Sequence, residues 1–186
     1  LGQFIHSTVN YNYSKSAMYP LGKKNGYQYL WKEAEAKVAD TIAQMTFLND
    51  RDFYTISSMI NDSASILFAR IGANDLNFNL RRDPAFIIRK NCINPSFINV
   101  IEMHGKYDPV NEVTSNANSI VQKIQEIENS LEYNVIEIQL KTGKLLFIDC
   151  KGDNNSKTQH QYLYNNAKIV WEGPYLVMLN GKNINK

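Results

Sequence analysis

In the stretch Val135-Ile-Glu-Ile-Gln-Leu140 apolar and polar side chains alternate cleanly from Ile136 onward, and that period of two constrains the chain more than any other feature. Successive side chains of a strand point to opposite faces, so such a segment buries one face and wets the other. Lys141-Thr-Gly-Lys144 and Leu145-Leu-Phe-Ile-Asp149 follow, and the three pieces together read as a β-hairpin. Short runs rich in aromatic and β-branched residues recur on both sides of it. Tyr27 to Val38, Thr41 to Leu48, Phe53 to Met59, Ser65 to Ile71, Ala85 to Arg89 and Phe97 to Met103 precede it. Tyr162 to Tyr164, Ala167 to Trp171 and Tyr175 to Leu179 come after. Between them stand Asn49-Asp50, Asn61-Asp62, Thr142-Gly143, Asn165-Asn166 and Asn180-Gly181, residues that tolerate positive φ or bond back to their own backbone. Many short strands with frequent turns predict an all-β fold of stacked antiparallel sheets or a β-sandwich, with at most one short helix.

One segment resists. Ile120, Ile124, Ile127 and Leu131 fall at helical spacing, and periodicity alone favours an amphipathic helix near Ser119 to Leu131; the choice stays open here and leans to a strand, which the resemblance given below favours. Residues 1–26 also differ, being polar, rich in Tyr and Ser, and interrupted by Pro20, Gly22 and Gly26. They read as a lead-in segment, with residues 27–186 as a single antiparallel β domain. A length of 186 residues suits one domain with a real core. The first residue is not Met, and the chain reads as a piece of something longer, without a signal peptide's basic start and apolar stretch.

The net charge of +2 offers no electrostatic reason to invoke nucleic acid or a membrane surface. No apolar run approaches the ~18 residues of a membrane-spanning helix. Cys92 and Cys150 each adjoin an apolar segment, so buried free thiols are the favoured reading over a disulfide. His6, His104 and His160 are far apart and match no metal-ligand spacing, so neither a metal site nor a cofactor is expected in this chain. A phosphate-binding glycine loop and a Gly-x-Ser-x-Gly elbow are both absent.

Weak candidates for sugar binding remain. Tyr27, Tyr29 and Trp31 alternate along one run and would stack on sugar rings if exposed, although core burial is the commoner fate of such residues. Glu33 and Glu35 would share a strand face, and a solvated face is the plainer account of them than a catalytic carboxylate pair. From Arg70 to Pro84 the chain alternates polar and apolar residues and then carries Arg81-Arg82 beside Asp83. Guanidinium forks suit uronate carboxylates, while the plainer reading is an irregular connection with Arg paired to Asp.

Three longer stretches then carry a resemblance: Asn25-Gly-Tyr-Gln-Tyr-Leu-Trp31 with Lys32-Glu33-Ala34; Phe68-Ala-Arg-Ile-Gly-Ala-Asn-Asp-Leu-Asn-Phe-Asn-Leu-Arg81; and Val100-Ile-Glu-Met-His-Gly105 running into Tyr107-Asp-Pro109. In order and spacing they resemble the C-terminal portion of oligoalginate lyases, family 17 polysaccharide lyases with a heparinase II/III-like β domain, over roughly residues 20 to 150. The resemblance implies an exported, periplasmic or cell-surface protein in which an α/α toroid precedes a domain of stacked sheets. It also implies β-elimination on a uronic acid polymer. The family's catalytic Asn-His pair, Tyr, further His and Arg residues, and metal site match no position here, so no catalytic residue is carried over. His104 falls in a family-like stretch without a family role, and joins Trp31, Arg81 and Arg82 as a weak sugar-binding candidate. The expected partners are the upstream toroid and early β domain of the same protein and a uronate polysaccharide, with homo-oligomerisation left open. The rival reading is a carbohydrate-binding or interaction module of β-sandwich type.

Overall fold

A computed structural model describes residues 4–6, 10–60, 64–72 and 83–185. They are strands and turns, apart from one 3-10 turn, and fall into two compact units, Leu1–Ser119 and Ile120–Lys186.

The first unit contains two antiparallel sheets. One is ordered β1 (Phe4–His6), β4 (Ile42–Asn49), β5 (Asp52–Met59), β8 (Asn99–Asp108) and β9 (Val113–Ser115). The other is ordered β2 (Tyr11–Pro20), β3 (Leu30–Val38), β6 (Ala64–Ile71) and β7 (Asp83–Lys90). Alternation places Ala34, Ala36, Ala64, Ile66 and Phe68 on one face of the second sheet, against Ala43, Met45 and Ile60 from the first. This is a sandwich core, and four alanines make its centre thin.

Three local expectations change here. Tyr27–Tyr29 form the 3-10 turn, started by Gly26 at φ 86°, so the strand begins at Leu30 and the three aromatics do not alternate along it. The polar stretch before Gly22 contains the ten-residue strand β2, whose pairing with β3 skips register between Lys15 and Tyr19. Its Tyr and Ser content goes with exposure on both faces: residues 12–15 and 18–20 are all exposed.

The second unit is a sheet ordered β10 (Val121–Asn129), β11 (Tyr133–Leu140), β12 (Gly143–Cys150), β15 (Tyr175–Leu179) and β16 (Lys182–Asn183). A hairpin of β13 (Gln159–Tyr164) and β14 (Ala167–Glu172) packs on it. Val135, Leu146, Ile148, Cys150, Trp171 and Leu176 form the core. The asparagine turns do what their chemistry allows: Asn165 and Asn166 take φ 50° and 64°, Asn180 and Gly181 50° and 78°.

The helical spacing at Ile120 to Leu131 resolves into strand β10. Its pairing with β11 skips one residue between Val121 and Lys123 and another between Glu126 and Glu128. Each bulge adds a residue and flips the strand's parity. Val121 and Ile124, three apart, thereby share a face and are both buried, while Ile127 and Leu131 are exposed. A bulged strand imitates helical periodicity.

Candidate functional site

The richest concentration of polar chemistry lies on the first sheet, on the face turned away from its alanine-rich core. Register brings Gln44 and Thr46 of β4, Thr55 and Ser57 of β5, and Glu102 and His104 of β8 onto that face. The Thr46 and Thr55 hydroxyls lie 2.7 Å apart, and Thr55 Oγ1 is 2.8 Å from His104 Nε2. His104 Nδ1 is 2.7 Å from the Asn116 carbonyl oxygen. A carbonyl only accepts, so Nδ1 carries the proton. In the neutral ring Nε2 then accepts from Thr55, which accepts from Thr46, and the direction of the whole chain is set by one backbone group. Beside it, Gln44 Nε2 donates to Ser57 Oγ at 3.0 Å and Ser119 Oγ at 3.2 Å, and Ser119 donates to Glu102 Oε2 at 2.6 Å.

This face has the inventory of an active site without its access. Thr55 and Ser57 are 0% exposed, both ring nitrogens of His104 are occupied, and the imidazole lies parallel to Phe53 at 6.4 Å. A nucleophile or base must reach a reacting atom. Here the groups bond to one another and fix β4, β5, β8 and the Asn116 turn. Gly105 allows the arrangement: its φ is +58°, and a Cβ there would stand 2.1 Å from the Ser115 carbonyl oxygen and 2.3 Å from that of Asn116.

The other sequence candidates are dispersed. Trp31 lies in β3, paired with Pro20 and Arg70, on a different sheet from His104. It is half-buried, and its indole N–H is buried with no acceptor among the described residues, which is not the pose of an open stacking platform. Tyr27 is exposed, in the 3-10 turn. Arg81 and Arg82 lie outside the described residues. Arg70 forks onto Glu33, Nε to Oε2 at 3.0 Å and Nη2 to Oε1 at 3.2 Å, so its partner is a glutamate across the sheet. Lys32 bonds Glu35 at 2.5 Å. Each glutamate therefore has its own cation. Both cysteines are free as expected, but Cys92 is exposed; only Cys150 is buried, and burial raises its thiol pKa.

In the second unit the structure assembles an aromatic cluster that no sequence motif announced. His160 stacks on Trp171 at 5.5 Å, meets the edge of Tyr133, and its Nε2 is 3.1 Å from Asp153 Oδ2. Tyr162 donates to Glu128 at 2.9 Å, and Tyr164 donates to Glu137, which also pairs with Lys144. Burial, reinforced by the Glu128 carboxylate, pushes the Tyr162 phenol up to about 12. Burial alone would raise Glu137, but the Tyr164 and Lys144 hydrogen bonds outweigh it and hold this carboxyl below its usual range. Partners at residues 128, 137 and 144 lie 20 or more positions from their tyrosines, beyond the reach of any local pattern. Among the described residues no group of three or more His, Cys, Asp or Glu side chains is disposed to hold a metal ion.

No family model matches the chain. It is 33% identical over 185 residues, 97% of its length, to a protein named exo-oligoalginate lyase from Saccharophagus degradans (strain 2-40). It is 31% identical over 156 residues, 83% of its length, to a protein named alginate lyase from Stenotrophomonas maltophilia (strain K279a). The chain spans 25% and 21% of the length of these two relatives.

Proposed function

We propose that this chain, a domain related to the alginate lyases, is the distal part of the C-terminal β-sheet domain of an exported lyase and serves it as scaffold. A match at 33% identity over 97% of the chain to one quarter of an exo-oligoalginate lyase is the observation that carries this reading. β-Elimination on a uronate needs three groups around one sugar: something to neutralise the carboxylate, a base for the C5 proton and an acid for the leaving oxygen. The internal hydrogen bonds of the polar face support a structural role. His104, Thr55, Gln44 and Glu102 are already engaged with one another or with backbone. In this reading an upstream toroid and the early β domain of the same protein supply the catalytic groups, a uronate polymer is the substrate, and the site of action is the periplasm or cell surface.

The test is an alginate cleavage assay read as the ultraviolet absorbance of the unsaturated uronate product. The isolated chain is expected to be inert, and the longer protein containing it active. Turnover by the isolated chain at ~10 per second, typical of an enzyme, would overturn the scaffold reading.

A further inference from the structure

We infer that Asn25, in the pair Asn25-Gly26, is a site of spontaneous covalent modification, at which the carboxamide is lost and aspartate or isoaspartate forms. Asn-Gly occurs twice in the chain, at Asn25-Gly26 and at Asn180-Gly181. A glycine has no side chain to shield its backbone nitrogen, so both pairs are open to the same reaction. The structure separates them. Both adopt one kind of turn: Asn25 and Gly26 take φ 59° and 86°, Asn180 and Gly181 take φ 50° and 78°, positive at both central residues as in a type I′ turn. Both asparagines are exposed, so water reaches each of them. What differs is how the side chain is held.

Asn180 is fastened to the neighbouring turn. Its Oδ1 accepts from the Lys144 backbone N–H at 2.8 Å, and its Nδ2 donates to the Thr142 carbonyl at 3.5 Å. Its own backbone N–H donates to the Lys144 carbonyl at 2.8 Å. The carboxamide occupies the place that a side chain at Gly143 would need, since a Cβ there would stand 2.0 Å from Asn180 Oδ1. Pairing of Leu179 with Lys182 closes the hairpin directly around the turn. Asn25 has no such tether. Its carboxamide makes no hydrogen bond among the described residues. One bond, from the Tyr27 N–H to the Lys24 carbonyl at 3.2 Å, closes its turn, which lies in the loop between β2 and β3.

The chemistry requires the asparagine Cγ to swing onto the following backbone nitrogen. The Gly26 nitrogen attacks Asn25 Cγ and gives up its proton. A new C–N bond forms, the Cγ–Nδ2 bond breaks, and Nδ2 leaves as ammonia with that proton. Water then opens the succinimide ring. Addition at Cγ gives aspartate, and addition at the main-chain carbonyl gives isoaspartate, which carries the backbone through Cβ. Nothing is oxidised or reduced, and water is the one co-reactant. At Asn180 the same swing must first break the side-chain bonds to Lys144 and Thr142; at Asn25 it breaks none among the described residues. The product sets a new carboxylate beside Lys23 and Lys24, both exposed. Isoaspartate also lengthens the main chain just before the 3-10 turn that leads into β3.

The experiment is incubation of the full chain in mildly alkaline buffer, folded and in urea, read by peptide mass mapping and by enzymatic methylation of isoaspartate. In the folded chain Asn25 is expected to convert, with Asn180 slower by about tenfold or more, because its side-chain hydrogen bonds must break before reaction. In urea the two rates should converge, since the tether exists only in the fold. Asn25→Gly, which suits the positive φ of the turn, should remove the early acidic species on ion exchange and leave the slow one. Equal rates in the folded chain, faster conversion at Asn180, or a gap that persists in urea would overturn the inference. So would a folded chain in which Asn25 stays intact while the unfolded chain converts. None of these outcomes bears on the lyase reading, which depends on cleavage by the longer protein.

Discussion

The two units reach stability by opposite uses of side-chain volume. In the first, Ala34, Ala36, Ala43 and Ala64 are at most 8% exposed, and two sheets are held together over residues that occupy little space. In the second, Trp171, Tyr133, Tyr162 and Tyr164 gather between a sheet and a hairpin, and both Tyr162 and Tyr164 donate a phenol to a glutamate. An alanine core fails when something is added, and an aromatic core when something is removed. The polar side chains are divided in the same way. The first unit lines up buried hydroxyls in a chain; the second pins single phenols to single carboxylates.

The largest expected effect tests the aromatic side. Trp171→Ala should cost about 3–5 kcal/mol, read from urea unfolding followed by near-ultraviolet circular dichroism. A loss below about 1 kcal/mol would mean that the hairpin is not held by its rings. Next, Ala36→Leu should destabilise the first unit by about 1–3 kcal/mol through overpacking, visible as a lower urea midpoint at unchanged slope. A neutral or stabilising result would break the comparison outright, because it would reveal unused space between the sheets.

Thr55→Val keeps the shape of the side chain but leaves Thr46 and His104 each short of a partner. It should cost about 1–3 kcal/mol, and pairing it with His104→Ala in a double-mutant cycle should recover part of that loss. Strict additivity would show that the hydroxyls act separately. A smaller effect concerns alkaline pH. The Tyr162 phenol is raised from 10.0 to about 12 on folding, so its contribution is fully present below pH 10 and is lost as pH rises toward 12. The wild type should therefore lose on the order of 1 kcal/mol across that window which Tyr162→Phe does not lose. Glu137 works with the opposite sign: its lowered folded pKa gives stability that disappears as pH falls through the acid range. The smallest effect is expected at the surface, where Glu33→Gln should cost about 0.2–1 kcal/mol, since the Arg70 guanidinium and Glu33 carboxylate are both substantially exposed.

How much the sequence discloses tracks how local each determinant is. The strand at Val135 to Leu140 and the turns at Asn49-Asp50, Asn165-Asn166 and Asn180-Gly181 lie where the pattern puts them, although Val135 and Ile138, on opposite faces, are both buried, and Asn61-Asp62 lies outside the described residues. The all-β class and the resemblance to oligoalginate lyases, carried by stretches such as Phe68 to Arg81 and Val100 to Gly105, are borne out. Strand β10 was ambiguous because the bulge between Val121 and Lys123 puts Val121 and Ile124, three apart, on one face. Strand β2 was invisible as a strand because an edge position asks little of its side chains beyond polarity. The His104 chain needs residues from β4, β5 and β8, and no spacing rule links positions 46, 55 and 104. The sequence drew its boundary after residue 26, where composition changes, whereas the structure gathers its contacts on either side of Ser119, where composition does not. Arg81 and Arg82 lie outside the described residues and have no structural account.

Gly105 gives the polar face a signature that can be recognised in other sequences. At Gly105 strand β8 bulges so close to the end of β9 that even a methyl group would collide with two carbonyl oxygens. One of these is the carbonyl that fixes the imidazole tautomer. The pair His104-Gly105 is therefore expected to be inherited as a unit. A lineage that replaces the glycine must move β8 away from the Asn116 carbonyl, which withdraws the acceptor from the imidazole Nδ1. Replacing the histidine alone removes one reason to keep so close an approach. The two letters should be retained or abandoned together as related chains diverge, and a lone survivor of the pair would mark a descendant whose hydroxyl chain has already been rewired.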